Sequence, residues 1–172
     1  GPARGPLRTI PPGLDPAPPP PDDEIAEACM RAGTSRETFA LYTGNLDGYQ
    51  DLAELAAAAR LVEDALRVVR LRDARDGRAL LHGASLALLP RRRRGGFPVK
   101  LLNYMEARRA IVGRAGVVEG LVHGESAWLL GAVDGAGSLA RAVRALAADR
   151  ALAARLGEGA RQVLEARHAW PA

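Results

Sequence analysis

A single cysteine, Cys29, stands in a chain of 172 residues. One thiol excludes an internal disulfide framework and fits a reducing compartment. Aromatic residues make up only 4% of the chain, so the net charge of +4 does not by itself point to nucleic acid, whose bases stack on aromatic rings. No apolar run approaches the roughly 20 residues that span a bilayer. The N-terminal GPARGPLRTIPP lacks the apolar centre of a signal peptide. His82, His123 and His168 are too dispersed to form a metal site. The expectation is a soluble cytoplasmic domain. Lysine is as scarce as cysteine: Lys100 is the only one, and arginine carries every other side-chain positive charge. With abundant Ala, Gly and Pro, that bias reads as a G+C-rich genome, not a mechanism.

What is present is an alternation of short apolar runs and Ala- and Leu-rich helical segments. Residues 1–23 are Pro-rich and read as an extended linker, leaving 24–172 as one domain. A short helix is expected over Asp23–Ala32, capped by Asp22 or Asp23. FALYT (39–43), LRVVRL (66–71), SLALLP (85–90), AIVG (110–113) and SAWLL (126–130) read as five strands. Asp51 with Glu54 resembles a capping box opening DLAELAAAARLVEDA. Asp76 is placed to cap a helix over GRALLHGA. Two helices close the chain, about 138–148 and 150–167, with Asp149 between them as a cap. The pattern predicts an α/β, doubly wound, Rossmann-like parallel sheet of about five strands with helices on both faces. In such sheets the ligand crevice lies at the carboxyl ends of the strands. Two segments fall there: Gly44-Asn45-Leu46-Asp47-Gly48 and Gly95-Gly96-Phe97-Pro98.

The second segment opens GGFPVKLLNYME (95–106). Pro98 suits the first turn of a helix, where its missing N–H costs nothing. Gly95 and Gly96 let backbone approach a ligand closely. First-turn N–H groups and the helix dipole favour an anion, and Lys100 lies in that turn. Lys100 and Asn103, one turn apart, pair an ammonium for phosphate with a carboxamide for a hydroxyl. The competing reading is a plain turn and a solvated lysine. Arg91–Arg94 reads mainly as a solvated basic loop, with one arginine in reach of the same ligand. Trp128 reads as core, and His123, Glu119 and Glu125 as residues of a loop near the crevice.

The stretch ALLPRRRRGGFPVKLLNYMEARRAIVGRAGVVEGLVHGESAWLL (87–130) resembles the donor-binding, C-terminal half of retaining glycosyltransferases of the GT-B fold, family four. TIPPGLDP (9–16) is similar to that family's interdomain segment. LYTGNLDGYQDL (41–52) is similar to its first strand and glycine loop, and residues 138–170 to its terminal helices. The resemblance covers nearly the whole chain in order. It implies a bacterial, cytoplasmic, hexosyltransferase-like enzyme that retains anomeric configuration, needs no metal and no cofactor, and does not bind nucleic acid. The lack of a D-x-D motif agrees with metal independence. The donor would be a nucleotide diphosphate-sugar, held by Gly44, Asn45, Leu46, Gly95, Gly96, Phe97, Pro98, Val99, Lys100 and Asn103. The acceptor would sit on a separate N-terminal domain, so that this half alone would be inactive. Any peripheral contact with the inner face of the membrane would lie mostly on that other domain.

The family's glutamate pair falls on Gly95 and Asn103, neither of which is glutamate. The interval from Gly44 to Phe97 is shorter than the family's by about one strand–helix unit. These departures keep a second reading open: a non-catalytic nucleotide-binding or protein-interaction module on a degenerate glycosyltransferase fold. A regulatory phospho-acceptor domain is disfavoured, because no strand end carries clustered aspartates.

Overall fold

The computed structural model describes residues 12–43, 51–63, 65, 67–70, 76–92 and 96–169. Five strands, β1 (Phe39–Tyr42), β2 (Arg67–Arg70), β3 (Leu86–Leu88), β4 (Ala110–Arg114) and β5 (Trp128–Leu130), form one sheet. Six helices accompany them: α1 (Asp22–Arg31), α2 (Leu52–Leu61), α3 (Gly77–Gly83), α4 (Lys100–Glu106), α5 (Ala136–Ala148) and α6 (Arg150–Arg167). The strand order is β2-β1-β3-β4-β5 and every pairing is parallel. The expected doubly wound sheet is therefore what the chain forms.

Parallel strands covered on both faces are apolar on both faces, and the alternation here is strict. Phe39, Leu41, Ala87, Leu89 and Ile111 pack with α1, α3, α4 and much of α6. Ala40, Tyr42, Leu86, Leu88, Ala110 and Val112 pack with α2 and α5 on the other side. Because the side-chain period is two, this register admits no one-residue slip without exchanging the two cores.

The helix starts differ from expectation in their caps. Asp149 caps α6 as anticipated, its Oδ1 accepting from Leu152 N at 2.8 Å. No capping box forms at α2: Asp51 sits in the left-handed region (φ 52°) with no side-chain cap bond, and Glu54 turns to arginines instead. Neither Asp22 nor Asp23 caps α1, whose N-cap is Pro21. Asp76 stands at the N-cap of α3, but its carboxylate accepts from Arg31. In each case a long-range ionic partner outcompetes a local N–H, or the chain geometry turns the carboxylate away.

The Pro-rich stretch from Pro12 to Pro20 is extended and fastened to the domain. Leu14 N donates to the His168 carbonyl at 2.9 Å, and His168 Nδ1 lies 3.0 Å from the Pro12 carbonyl. Arg78 Nη2 donates to the carbonyls of Ala17 and Pro18 at 3.1 and 2.6 Å. Pro-rich backbone offers carbonyls with few N–H donors, so arginine and histidine are fitting partners. Among the described residues no helix is long and apolar enough to cross a membrane.

Candidate functional site

The chain runs from β1 outward to β2, then crosses back to β3 on the other side of β1. The carboxyl ends of β1 and β3 thus diverge into a crevice, the switch point where open α/β sheets take their ligands. Helix α4 lies across this point and grips Thr43, the residue after β1. The Tyr104 hydroxyl accepts from Thr43 N at 3.1 Å, lies 2.6 Å from Thr43 Oγ1 and donates to the Leu88 carbonyl at 3.4 Å. It therefore bridges β1 and β3. Burial pushes its phenol pKa up to about 12, with the Thr43 hydrogen bonds opposing.

Lys100 grips the same residue from the other side. Its Nζ donates to the Thr43 carbonyl at 2.7 Å and lies 5.1 Å from the centroid of the Tyr42 ring. Half-buried, it has a pKa lowered first by desolvation and then by the charge of nearby Arg91. Two cations thus share the switch point, and Arg91 is itself buried, with Nη2 donating to the Gly96 carbonyl at 3.2 Å. Asn103, one turn on, is exposed. It lines a cavity of about 390 Å³ together with Thr43, Tyr104, Asp15, Arg78 and Glu106. At the back of that cavity Glu106 is buried, accepting from Arg78 at 2.8 Å and lying 3.5 Å from His82 Nε2.

Of the residues singled out from sequence, Gly96, Phe97, Pro98, Val99, Lys100 and Asn103 come together here. Gly96 has φ +76°, a backbone shape that disfavours other residues. Pro98 lies two residues ahead of α4 rather than inside it, and its carbonyl accepts from Leu101 N at 2.7 Å. Phe97 packs tilted against His168, centroids 5.1 Å apart, and Val99 is exposed. Gly44, Asn45, Leu46 and Gly95 lie outside the described residues.

Two expectations need correction. The arginine run is not simply solvated: Arg92 bonds Glu54 Oε2 at 2.7 Å and the carbonyls of Ala132 and Asp134, while its N–H donates to Asp51 Oδ2 at 2.7 Å. The loop with His123 and Glu125 leads into β5 and meets α6 at Gly159, which puts it at the amino edge of the sheet, away from the crevice. There His123 Nδ1 accepts from Leu129 N at 2.9 Å and its ring meets Trp128 edge-on. Trp128 is itself only partly buried, on the edge strand β5.

Sequence reasoning missed Arg114. It is 2% exposed, although a strand-end arginine ordinarily reads as solvated. Its guanidinium bonds Glu54, the Gly131 carbonyl at 2.8 Å and the Pro90 carbonyl at 3.2 Å. One side chain thereby joins the carboxyl ends of β3, β4 and β5 to the first turn of α2. The only sequence signal was Glu54 itself, a carboxylate in the first turn of an otherwise Ala- and Leu-rich helix.

Residues 25–149 match the family described as "Glycosyl transferases group 1". No curated protein matches the chain significantly by sequence. Among solved structures, the C-terminal domain of a glycosyl transferase group 1 family protein (LpcC) from Francisella tularensis superposes with a TM-score of 0.71 at 11% identity, covering 92% of this chain and 100% of that one. Anabaena HepE in complex with UDP and glucose gives 0.74 at 14% identity, covering 91% of this chain and 52% of that one. Sucrose-phosphate synthase from Thermosynechococcus elongatus gives 0.71 at 20% identity, covering 95% and 49%. The chain thus spans about half the length of the latter two proteins and the whole of the LpcC domain. The sheet order, the crevice at its switch point and the match over residues 25–149 lead to one conclusion: this chain belongs to the group 1 glycosyl transferases and has the fold of the C-terminal half of a GT-B enzyme.

Proposed function

We propose that this chain is the donor-binding half of a retaining, metal-independent, family-four-like glycosyltransferase, and that it binds a nucleotide diphosphate-sugar at the carboxyl ends of β1 and β3. The observation that carries this reading is the pairing of Arg91 and half-buried Lys100 at the switch point, beside the exposed carboxamide of Asn103. A partly desolvated ammonium is worth more to a diphosphate than one in bulk water. Lys100 would exchange the Thr43 carbonyl for a phosphate oxygen, and Gly96 would let backbone come close to it. Asn103 can donate to and accept from ribose hydroxyls. HepE with bound UDP supports the donor class by likeness of fold.

Transfer requires two substrates held in one geometry. We therefore assign the acceptor to a separate domain, and place the enzyme in a bacterial cytoplasm with any membrane contact on that domain. Calorimetric titration with UDP, GDP, ADP and TDP, each against its monophosphate, tests the reading. One diphosphate should bind more tightly than its monophosphate, and Lys100→Ala should weaken it about tenfold, the loss of one charge-assisted contact. No diphosphate binding by the folded chain would overturn it.

One observation favours a second reading. Asn103, with Gly95, stands where the family has glutamates. Diphosphate binding without sugar transfer, even with an acceptor domain supplied, would identify a non-catalytic nucleotide-binding or interaction module.

A further inference from the structure

A cavity of about 540 Å³ opens at the amino edge of the sheet, on the opposite side from the donor crevice. It lies where Thr38, Ser85 and Ala110 lead into β1, β3 and β4, against the start of α6. Its lining includes small apolar residues, three arginines and two glutamates. That size suits a small ligand.

The arginines are unequally partnered. Arg150 pairs with Glu37 at 3.0 Å and Arg108 with Glu158 at 3.4 Å. More than half of each of these four side chains is exposed, so each pair is weak and exchanges readily. Arg109 is different. It is half-buried, and its Nε and Nη1 donate to the carbonyls of Ala107 and Ala84 at 3.0 and 2.9 Å. No carboxylate bonds it among the described residues. Glu37 is near enough for its charge to be felt, but it is bonded to Arg150. Desolvation lowers the Arg109 pKa, the mark of a cation whose water has been removed and only partly replaced. Two carbonyls take the place of part of that water, and an oxyanion would take the place of more.

The backbone around the cavity is strained as well. Glu37 and Arg108, both on its rim, have φ of 56° and 53°. Non-glycine residues in that region cost energy and cluster at ligand sites. The wall is rigid, because Gly157 of α6 seats directly on the Arg108 carbonyl, where a Cβ would come to 2.1 Å.

We infer that this amino-edge cavity is a second site, for a small oxyanion-bearing molecule, a phosphate ester or a carboxylate, anchored on Arg109 and closed over by Arg108 and Arg150. A planar guanidinium with two N–H groups spent on carbonyls keeps others for a forked contact with an oxyanion. The surface arginines release their glutamates to complete it. The inference is independent of the donor reading, since the two sites lie at opposite edges.

The test is titration of the full chain with inorganic phosphate and, separately, with citrate, at constant ionic strength, followed by amide NMR. Saturable shifts centred on Ser85, Ala110 and Arg150 are expected for at least one probe, and which probe binds names the oxyanion. Arg109→Gln should weaken the response about tenfold, the loss of one charge-assisted anchor. If that variant does not fold, Arg150→Gln, at the exposed mouth, should weaken it measurably. No saturable shift with either probe, an unchanged affinity in a folded variant, or a response abolished by Lys100→Ala would overturn the inference.

Discussion

The ammonium of Lys100 donates to the main-chain carbonyl of Thr43 at 2.7 Å, joining residues 57 apart in sequence at the lip of the switch-point crevice. The protonated form makes this bond most strongly and alone carries the charge that attracts an anion, and burial has made protonation harder.

The pH dependence follows with a definite sign. The folded-state pKa of Lys100 lies below its ordinary 10.5. Between the two values the unfolded chain binds more protons, so stability rises with pH there. The difference in unfolding free energy between wild type and Lys100→Met should therefore grow in favour of wild type as pH climbs toward the ordinary lysine value. Over the same window nucleoside diphosphate affinity should fall in wild type and not in the variant. Denaturant melts and calorimetry across alkaline pH read both.

Tyr104→Phe removes the hydroxyl that bridges Thr43 and Leu88 while keeping the ring. It leaves Thr43 N without that acceptor, at a cost of about 1–3 kcal/mol. The phenol pKa is raised from 10.0 to about 12, so the neutral form is favoured in the folded state. The stabilisation is complete below about pH 10 and is lost as pH rises toward 12. Wild type should show that loss in denaturant unfolding and the phenylalanine variant should not.

Arg114→Met leaves Glu54 with its other arginine, Arg92, and strips the Gly131 and Pro90 carbonyls of their donor. Breaking one side of a buried pair costs about 3–5 kcal/mol. Arg114→Met with Glu54→Leu should cost less than the two single changes added together, because the Arg114–Glu54 pair, broken by each single change, is then lost only once. A double-mutant cycle by denaturant unfolding measures the coupling.

Gly157→Ala would set a Cβ 2.1 Å from the Arg108 carbonyl, and Gly159→Ala one 2.2 Å from that of Glu125. Backbone cannot swing aside as a side chain does, so each should destabilise by about 1–3 kcal/mol or more. Gly137→Ala in α5 meets only Arg141 Nη1 at 3.8 Å and should stabilise by about 0.5 kcal/mol, the helix cost of glycine. Thermal melts of the three variants separate packing from propensity.

Much of the architecture was legible because burial on both faces writes itself into composition. FALYT, SLALLP and AIVG carry no polar residue except at their ends, and each holds a strand of the sheet. Asp149 was legible because its only competitor was solvent. Asp51, Glu54 and Arg92 were not, because their roles are set by partners about forty residues away, and local propensity is silent about distance. Arg114 was hidden for the same reason. The grip of Lys100 and Tyr104 on Thr43 depends on how α4 crosses the end of β1, a relation of elements no spacing encodes. Lys100 and Asn103 could nevertheless be singled out, since they sit one turn apart on a short helix following a strand.

The bonds between His168 and the stretch at Pro12 and Leu14 have a mechanical consequence. Chain entering at residue 12 and chain leaving after residue 169 depart from one spot on the surface. Both are held there by the same few hydrogen bonds, so a pull on one is shared with the other. Phe97, tilted against His168, sets the loop ahead of Lys100 beside that junction, so one ring links the crevice to the place where the two ends meet.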